Sequence, residues 1–488
     1  MEKYVIGLDI GTTCAKALAV DVNGQVLAGE SMGYPLLSSE NHVEQRAQDW
    51  IDAMRTILRA LVRRVGEGEA VGISLSTQGA TTVAVDAQGQ FLGNAVTWMD
   101  TSAEEEAREI EEELGGERVY RISGWKINPA LDAAKLRHMR KNPLYAGASQ
   151  YLSTLEVVNK YLTGNACIDP SNAAIRQLFD VEAGQWSREL LRAAGIAQEQ
   201  LPPVLPTGAV VGLLSDTAAR ETGLPEGMRV YNGAHDQYCA AIGAGAVHEG
   251  DMLLSAGTTW VLNGISRKPL FTRSFIAPGK HPEEGLYGAI ASLVCSGASL
   301  EWFKNNFLKD GFEKMNQVVT QRRDKTQDLF FYPYLVGANY PIWNLRARGA
   351  FTGLALEHDR FDLARAIMEG VAFGVRRGVC DFLANGTQVK RITIMGGAAK
   401  SDVWCQMIAD ITQIPIERFH VTDICAVGAA AIALKGAGMC HSYAEASARI
   451  AHPERVFLPD KNEAAYFDEK FAQYDAMWEC MQTYYRRQ

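Results

Sequence analysis

Leu8-Asp9-Ile10-Gly11-Thr12-Thr13 and Leu254-Ser255-Ala256-Gly257-Thr258-Thr259 are two copies of one pattern, set about half a chain-length apart in 488 residues. Each copy follows an apolar, strand-like run (Tyr4 to Leu8; Met252 to Leu254) and leads into another (Ala17 to Val20; Val261 to Ile265). A Gly-Thr-Thr turn between strands presents backbone N–H groups and hydroxyls together, a cradle for phosphate oxygens. A single such turn is a common hairpin connection. Two in matched settings, one near the start of each half, predict two related domains facing a shared anionic ligand. Only the first copy carries a carboxylate, Asp9, so the halves share a fold and differ in task.

A chain of this length exceeds one ordinary core and predicts two or three domains. The composition is globular, with 47% hydrophobic and 22% charged residues. A net charge of −9 argues against a general nucleic-acid partner. Nine cysteines without C-x-x-C spacing read as reduced, mostly buried thiols, which predicts a cytoplasmic protein and no zinc site. Asp9 interrupts a very short apolar run, so the N-terminus lacks signal-peptide form, and no membrane span is expected.

Working outward, Asn23-Gly24 marks a hairpin turn. Residues 47–65 carry Trp50, Met54, Ile57, Leu58 and Leu61 at helical spacing. Residues 70–76 and 81–85 read as buried strands, and the acidic run 102–114 as a solvated helix face. Val230 to Gly233 forms a strand running into Ala234-His235-Asp236-Gln237 and a helix of small residues. The domain boundary is placed after that helix, giving residues 1–246 and 247–488. In the second half, Ile392 to Met395 is a strand entering Gly396-Gly397-Ala398-Ala399, Ser401 to Ile411 a helix, Ala426 to Lys435 a second small-residue helix, and about 463–486 an aromatic helix. Strands alternating with helices imply α/β layers with mixed sheets.

Three places carry candidate chemistry. Asp236, at a strand–loop–helix junction, suits a catalytic base taking a proton from an acceptor hydroxyl; the alternative is a plain helix cap. Asp9, beside the first turn, suits a Mg²⁺ ligand, since a carboxylate there repels bare phosphate. Gly396-Gly397-Ala398 lets backbone approach a nucleotide closely at a helix N-terminus. His235 reads as packing or substrate shaping, because no G-x-S-x-G nucleophile motif accompanies it.

Taken together, these residues resemble the FGGY carbohydrate kinases of the actin/hexokinase/Hsp70-like superfamily. The resemblance runs nearly end to end. It rests on Asp9 to Thr13 with Lys16, Glu44-Gln45 with Trp50, Gln78-Gly79, Trp98 with Asp100, Asp169 to Ala173, Gly233 to Gln237, Tyr332 to Leu335, Arg348 to Leu354, Asp362-Leu363 with Ala366 to Glu369, and Gly396 to Ala398 with Ser401. It implies two ribonuclease-H-like domains around a central cleft, sugar on the N-terminal domain and ATP on the C-terminal one. It implies that Asp236 is the catalytic base and that Gln78, Gly79, Trp98, Asp100, Asp236 and Gln237 meet the sugar. Gly11, Thr12, Thr13, Lys16, Gly257, Thr258, Thr259, Gly397, Ala398 and Ser401 would meet ATP, and Asp9 would hold Mg²⁺. Family members are often homodimers.

The chain departs from the family pattern on the sugar side. His138 follows Lys135-Leu136-Arg137 where Trp is usual, Trp98-Met99-Asp100-Thr101-Ser102 lacks the usual Arg, Gly337-Ala338-Asn339 replaces Gly-Glu-Arg, and Gly79-Ala80 stands where xylulose kinases place His. The expected activity is phosphorylation of a small open-chain sugar, a ketopentose such as xylulose. The alternatives are another polyol, ketose or aldonate as substrate, or an ATP-gated sugar sensor.

Overall fold

The computed structural model describes residues 2–308, 311–341, 343–419 and 423–485. Two mixed sheets organise the chain, and their central five strands follow one plan. In the first, Val26–Gly33, Cys14–Asp21 and Glu2–Ile10 form an antiparallel meander. Gly68–Thr77 and Arg229–His235 then add in parallel, and Val210–Leu213 closes the edge. In the second, Tyr287–Leu293, Trp260–Ser266 and Asp251–Ala256 make the meander, with Arg391–Met395 and Ile416–Phe419 added in parallel. The expected α/β fold of two related domains is what the chain adopts. A further five-stranded sheet, which includes Thr82–Val85 and Phe91–Val96, extends the first lobe.

Local signals explain many elements. The apolar residues of helix Ala47–Val65 are buried along one face, and Gly66, at φ +71°, ends it by donating its N–H to Val62 O. At the Asn23-Gly24 turn, Asp21 Oδ1 accepts from the N–H groups of Asn23 and Gln25. Among the described residues, no helix is long and apolar enough to cross a membrane.

Between the lobes lie two short helices of small residues, each seated against the other half's sheet. Ile424–Gly436, from the second half, rests on strands Glu2–Ile10 and Gly68–Thr77. Asp236–Gly243, from the first half, packs toward Leu253 and Ile265 of the second sheet. Glycine makes this approach possible. A Cβ on Gly7 would lie 1.9 Å from Ala426 O, one on Gly428 1.9 Å from Cys239 O, and one on Gly243 2.4 Å from Ile424 O. The backbones themselves are in contact, so no side chain larger than hydrogen fits there.

Gly428→Ala is expected to cost about 2–4 kcal/mol of unfolding free energy, because the carbonyl it meets belongs to a packed helix; denaturant unfolding measures it. His281 gives a second expectation. It is buried near the seam and its Nδ1 accepts from Glu283 N–H at 3.0 Å. Burial pushes its pKa from 6.5 down to about 3, Asp251 opposing and Lys435 assisting. Between those values the unfolded chain holds a proton that the folded one does not, so stability falls as pH drops from 6.5 toward 3. The slope from this site is about 1.4 kcal/mol per pH unit. His281→Asn should flatten the dependence, measured as unfolding free energy against pH.

Candidate active site

Strand register assembles the first side of the cleft. On three adjacent parallel strands, Thr77 pairs with Ile10 on one side and with His235 on the other. Gly11, Gln78 and Asp236 therefore leave the sheet side by side at strand C-terminal ends, where α/β sheets bind ligands. On the second sheet, Ser255 pairs with Met395, which sets Gly257-Thr258-Thr259 beside Gly396-Gly397 in the same manner. Ser255 occupies the place that Asp9 holds in the first lobe.

Asp9 is 9% exposed and accepts a 2.7 Å hydrogen bond from Ser76 Oγ, its neighbour on the parallel strand. Burial pushes its pKa up to about 7; the Ser76 bond and Lys16 oppose this, while Asp236 and Asp423 add to it. Asp236 is thus close enough to disfavour the charge on Asp9. Asp236 opens helix Asp236–Gly243 without capping it. The cap position belongs to His235, whose side chain makes no cap bond. Asp236 is partly exposed, and its Oδ1 has no hydrogen-bond partner, lying 3.2 Å from His235 Nε2.

The first Gly-Thr-Thr turn is braced through its carbonyls. Tyr34 hydroxyl donates to Gly11 O, the Gln45 amide to Thr12 O, and Tyr34 N–H to Thr13 O. Trp98 Nε1–H donates to Thr12 Oγ1 at 3.1 Å, while its ring stays exposed. Gln78 Nε2 donates to Gln45 Oε1 at 2.7 Å, linking the Gln78 loop to the turn, and Gln78 Oε1 is buried without a partner. Gln237 Oε1 is likewise unpartnered, and its carbonyl accepts from Asn263 Nδ2 of the second sheet. Gln78 Oε1, Asp236 Oδ1 and Gln237 Oε1 are thus buried polar atoms that find no protein partner.

One buried ammonium supports both loops on this side. Lys135, 2% exposed, donates to Ala80 O at 2.5 Å and to Val96 O at 3.2 Å. Ala80 follows Gln78-Gly79 with φ +49°, and Val96 leads into Thr97-Trp98. Asp132 lies 3.7 Å from the ammonium and is shared with fully buried Arg176, which also pairs with Glu156. Burial pulls Lys135 down to about 8 against the attraction of Asp132.

In the second lobe, Gly257, Thr258 and Thr259 are exposed, and Ala298 N–H donates to Thr258 O. A Cβ on Gly297 would meet Gly257 O at 2.1 Å, so helix Ser296–Phe307 backs the turn directly. Gly396 takes φ +97° against Ala256, and nothing lies within 4 Å of where a Gly397 Cβ would point.

Four of the residues expected to meet ligand or nucleotide are already engaged or covered. Asp100 is buried, its carboxylate accepting from Val43 N–H, Ser102 N–H and Ser102 Oγ, which braces the Trp98 loop. Ser401 caps helix Asp402–Thr412 and donates to Asn316 Oδ1. Lys16 is paired with Asp423 Oδ1 at 2.7 Å, across the two halves. Ala398 is buried beneath Gly397. Ser76, Tyr34 and Lys135 are the supports that no short motif assigned a role.

Comparison with known proteins agrees with this geometry. The family model described as the FGGY family of carbohydrate kinases, N-terminal domain, matches residues 4–243, and its C-terminal counterpart matches residues 252–437. Xylulose kinase of Bacillus subtilis is 31% identical over 468 residues, covering 94% of this chain and 93% of that protein. The L-xylulose/3-keto-L-gulonate kinase of Escherichia coli is 29% identical, covering 100% and 99%. The crystal structure of gluconate kinase from Lactobacillus acidophilus superposes with TM-score 0.94 at 26% identity, covering 100% of both chains. The chain belongs to the FGGY family of carbohydrate kinases and is an ATP-dependent sugar kinase.

Proposed function

We propose that this kinase transfers the γ-phosphoryl group of ATP to a hydroxyl of a neutral open-chain ketose, a ketopentose such as xylulose, with Asp236 as general base. The observation that carries the reading is the Asp236 carboxylate, part-exposed at a strand end beside Asp9 and not consumed as the cap of the helix it opens. The sugar hydroxyl gives its proton to Asp236 as its oxygen attacks the γ-phosphorus. The bond from that phosphorus to the β–γ bridging oxygen breaks, and ADP leaves. Thr12 and Thr13 meet the γ-phosphate, Gly257, Thr258 and Thr259 the inner phosphates, and open Gly397 the adenosine.

The carboxylates suit Mg²⁺. Asp9 and Asp236 repel each other in a buried setting, and among the described residues no group of three or more His, Cys, Asp and Glu forms a protein cage. Magnesium bound through one or two carboxylates plus substrate phosphates needs no such cage. Asp9 would hold it, Ser76 fixing the carboxylate, and the ion would neutralise charge on the transferred group.

Neutrality of the sugar is supported by the Trp98 loop, where no arginine follows Asp100 and the carboxylate of Asp100 is already spent. Relatives are named for both xylulose and gluconate. ADP release across pentuloses, hexuloses, polyols and aldonates tests the choice. Fastest turnover with a pentulose is expected; gluconate as the best acceptor would overturn it, and turnover independent of sugar would favour a sensor. Asp236→Asn should lower kcat by about a thousandfold or more with ADP affinity largely kept. Retained turnover removes Asp236 as base. Lys135→Met should raise the sugar KM by about tenfold while the ATP KM stays within about twofold, because it frees Ala80 and Val96 but not the nucleotide turns.

A further inference from the structure

Between Gln78 and Asp236 lies an imidazole that the reaction as written does not use. His235 ends strand Arg229–His235 and is 5% exposed. Its ring edge rests on Gly79: a Cβ there would stand 2.7 Å from His235 Cδ2, 2.8 Å from Nε2 and 2.7 Å from Ile175 Cγ2. On its other side, Nε2 is 3.2 Å from Asp236 Oδ1. The main chain is pinned as well, since His235 N–H donates to Ser171 Oγ at 2.9 Å and Ser171 Oγ donates to Asp169 at 2.5 Å.

We propose that His235 is a positioning residue that aims the Asp236 carboxylate, and that position 79 is glycine so that the imidazole can lie there. The inference rests on Asp236 being the base. A carboxylate on the first turn of a helix rotates freely unless something holds one oxygen. With the ring hydrogen on Nε2, 3.2 Å from Oδ1, a small turn of the carboxylate completes a hydrogen bond that the resting geometry leaves unmade. Oδ1 then faces the ring, and Oδ2 is left to receive the substrate proton. An apolar side chain would fill the same space without the cost of burying Nδ1 unpartnered, as it is here. Any side chain at 79 pushes the ring off Asp236. The pair therefore acts as one unit, and it sets how close an acceptor hydroxyl comes to the base from the Gln78 side.

The test is a double-mutant cycle on the full chain with the best sugar of the panel. His235→Leu is expected to lower kcat about tenfold to a hundredfold with the ATP KM within about twofold, and His235→Gln, which keeps a donor, to recover most of it. Gly79→Ala is expected to lose a similar amount alone and clearly less in the His235→Leu background, where only the contact with packed side chains such as Ile175 remains. Additive losses, or an unchanged kcat in folded His235→Leu, overturn the proposal. Thermal unfolding and ADP binding identify variants that fail to fold. The wild-type protein then decides: in ¹⁵N-histidine NMR, an Nε2–H tautomer whose Nε2 signal moves on Asp236→Asn is expected. An Nδ1–H tautomer, or no response, overturns it. Full turnover in Asp236→Asn sinks the base assignment instead, whatever the histidine signals show.

Discussion

The architecture depends on main chain touching main chain. Strand Glu2–Ile10, helix Asp236–Gly243 and helix Ile424–Gly436 meet at Gly7, Gly243 and Gly428, where a single methyl group would collide with a carbonyl. Packed interiors leave no slack for such a collision. The contact fixes how far apart the sheets stand and so how far the first Gly-Thr-Thr turn lies from the second. It also fixes Asp236, the first residue of one of these helices. Site geometry here follows from the absence of side chains at three positions well below the cleft.

From that seam the chemistry builds upward by register. Parallel pairing delivers Gly11, Gln78 and Asp236 to one edge, and hydrogen bonds through Gln45, Tyr34 and Trp98 tie the turn to its neighbours. Lys135 holds the Gln78-Gly79-Ala80 and Val96-Thr97-Trp98 loops through their carbonyls. Burial, with Asp236 and Asp423 nearby, pushes the pKa of Asp9 up.

Much of this was legible in the chain. Helix Ala47–Val65 is visible from its apolar spacing, and the duplicated turns fall between first and second strands in both lobes, because such patterns report local geometry. Pairing over long separations is not written locally. Nothing around Ser76 announces that it will donate to Asp9, and nothing in Trp98 to Ser102 reveals that Asp100 is consumed by Val43 and Ser102. Ala426 to Lys435 reads as a small-residue helix, but its seat on the other half's sheet depends on Gly7, more than 400 residues away. Gly79 alone looks like a loop residue; its meaning comes from His235.

The exchange of helices across the seam bears on how the chain can be divided. Val5, Leu18 and Val20 share one apolar cluster with Ala426, Ala430 and Leu434. Severed near residue 246, the N-terminal fragment would bare that strand face to water, and the C-terminal fragment would carry an oily helix with nothing to cover it. Each piece would lack the cover that the other provides here, and joint recovery on mixing would be fragment complementation across that surface.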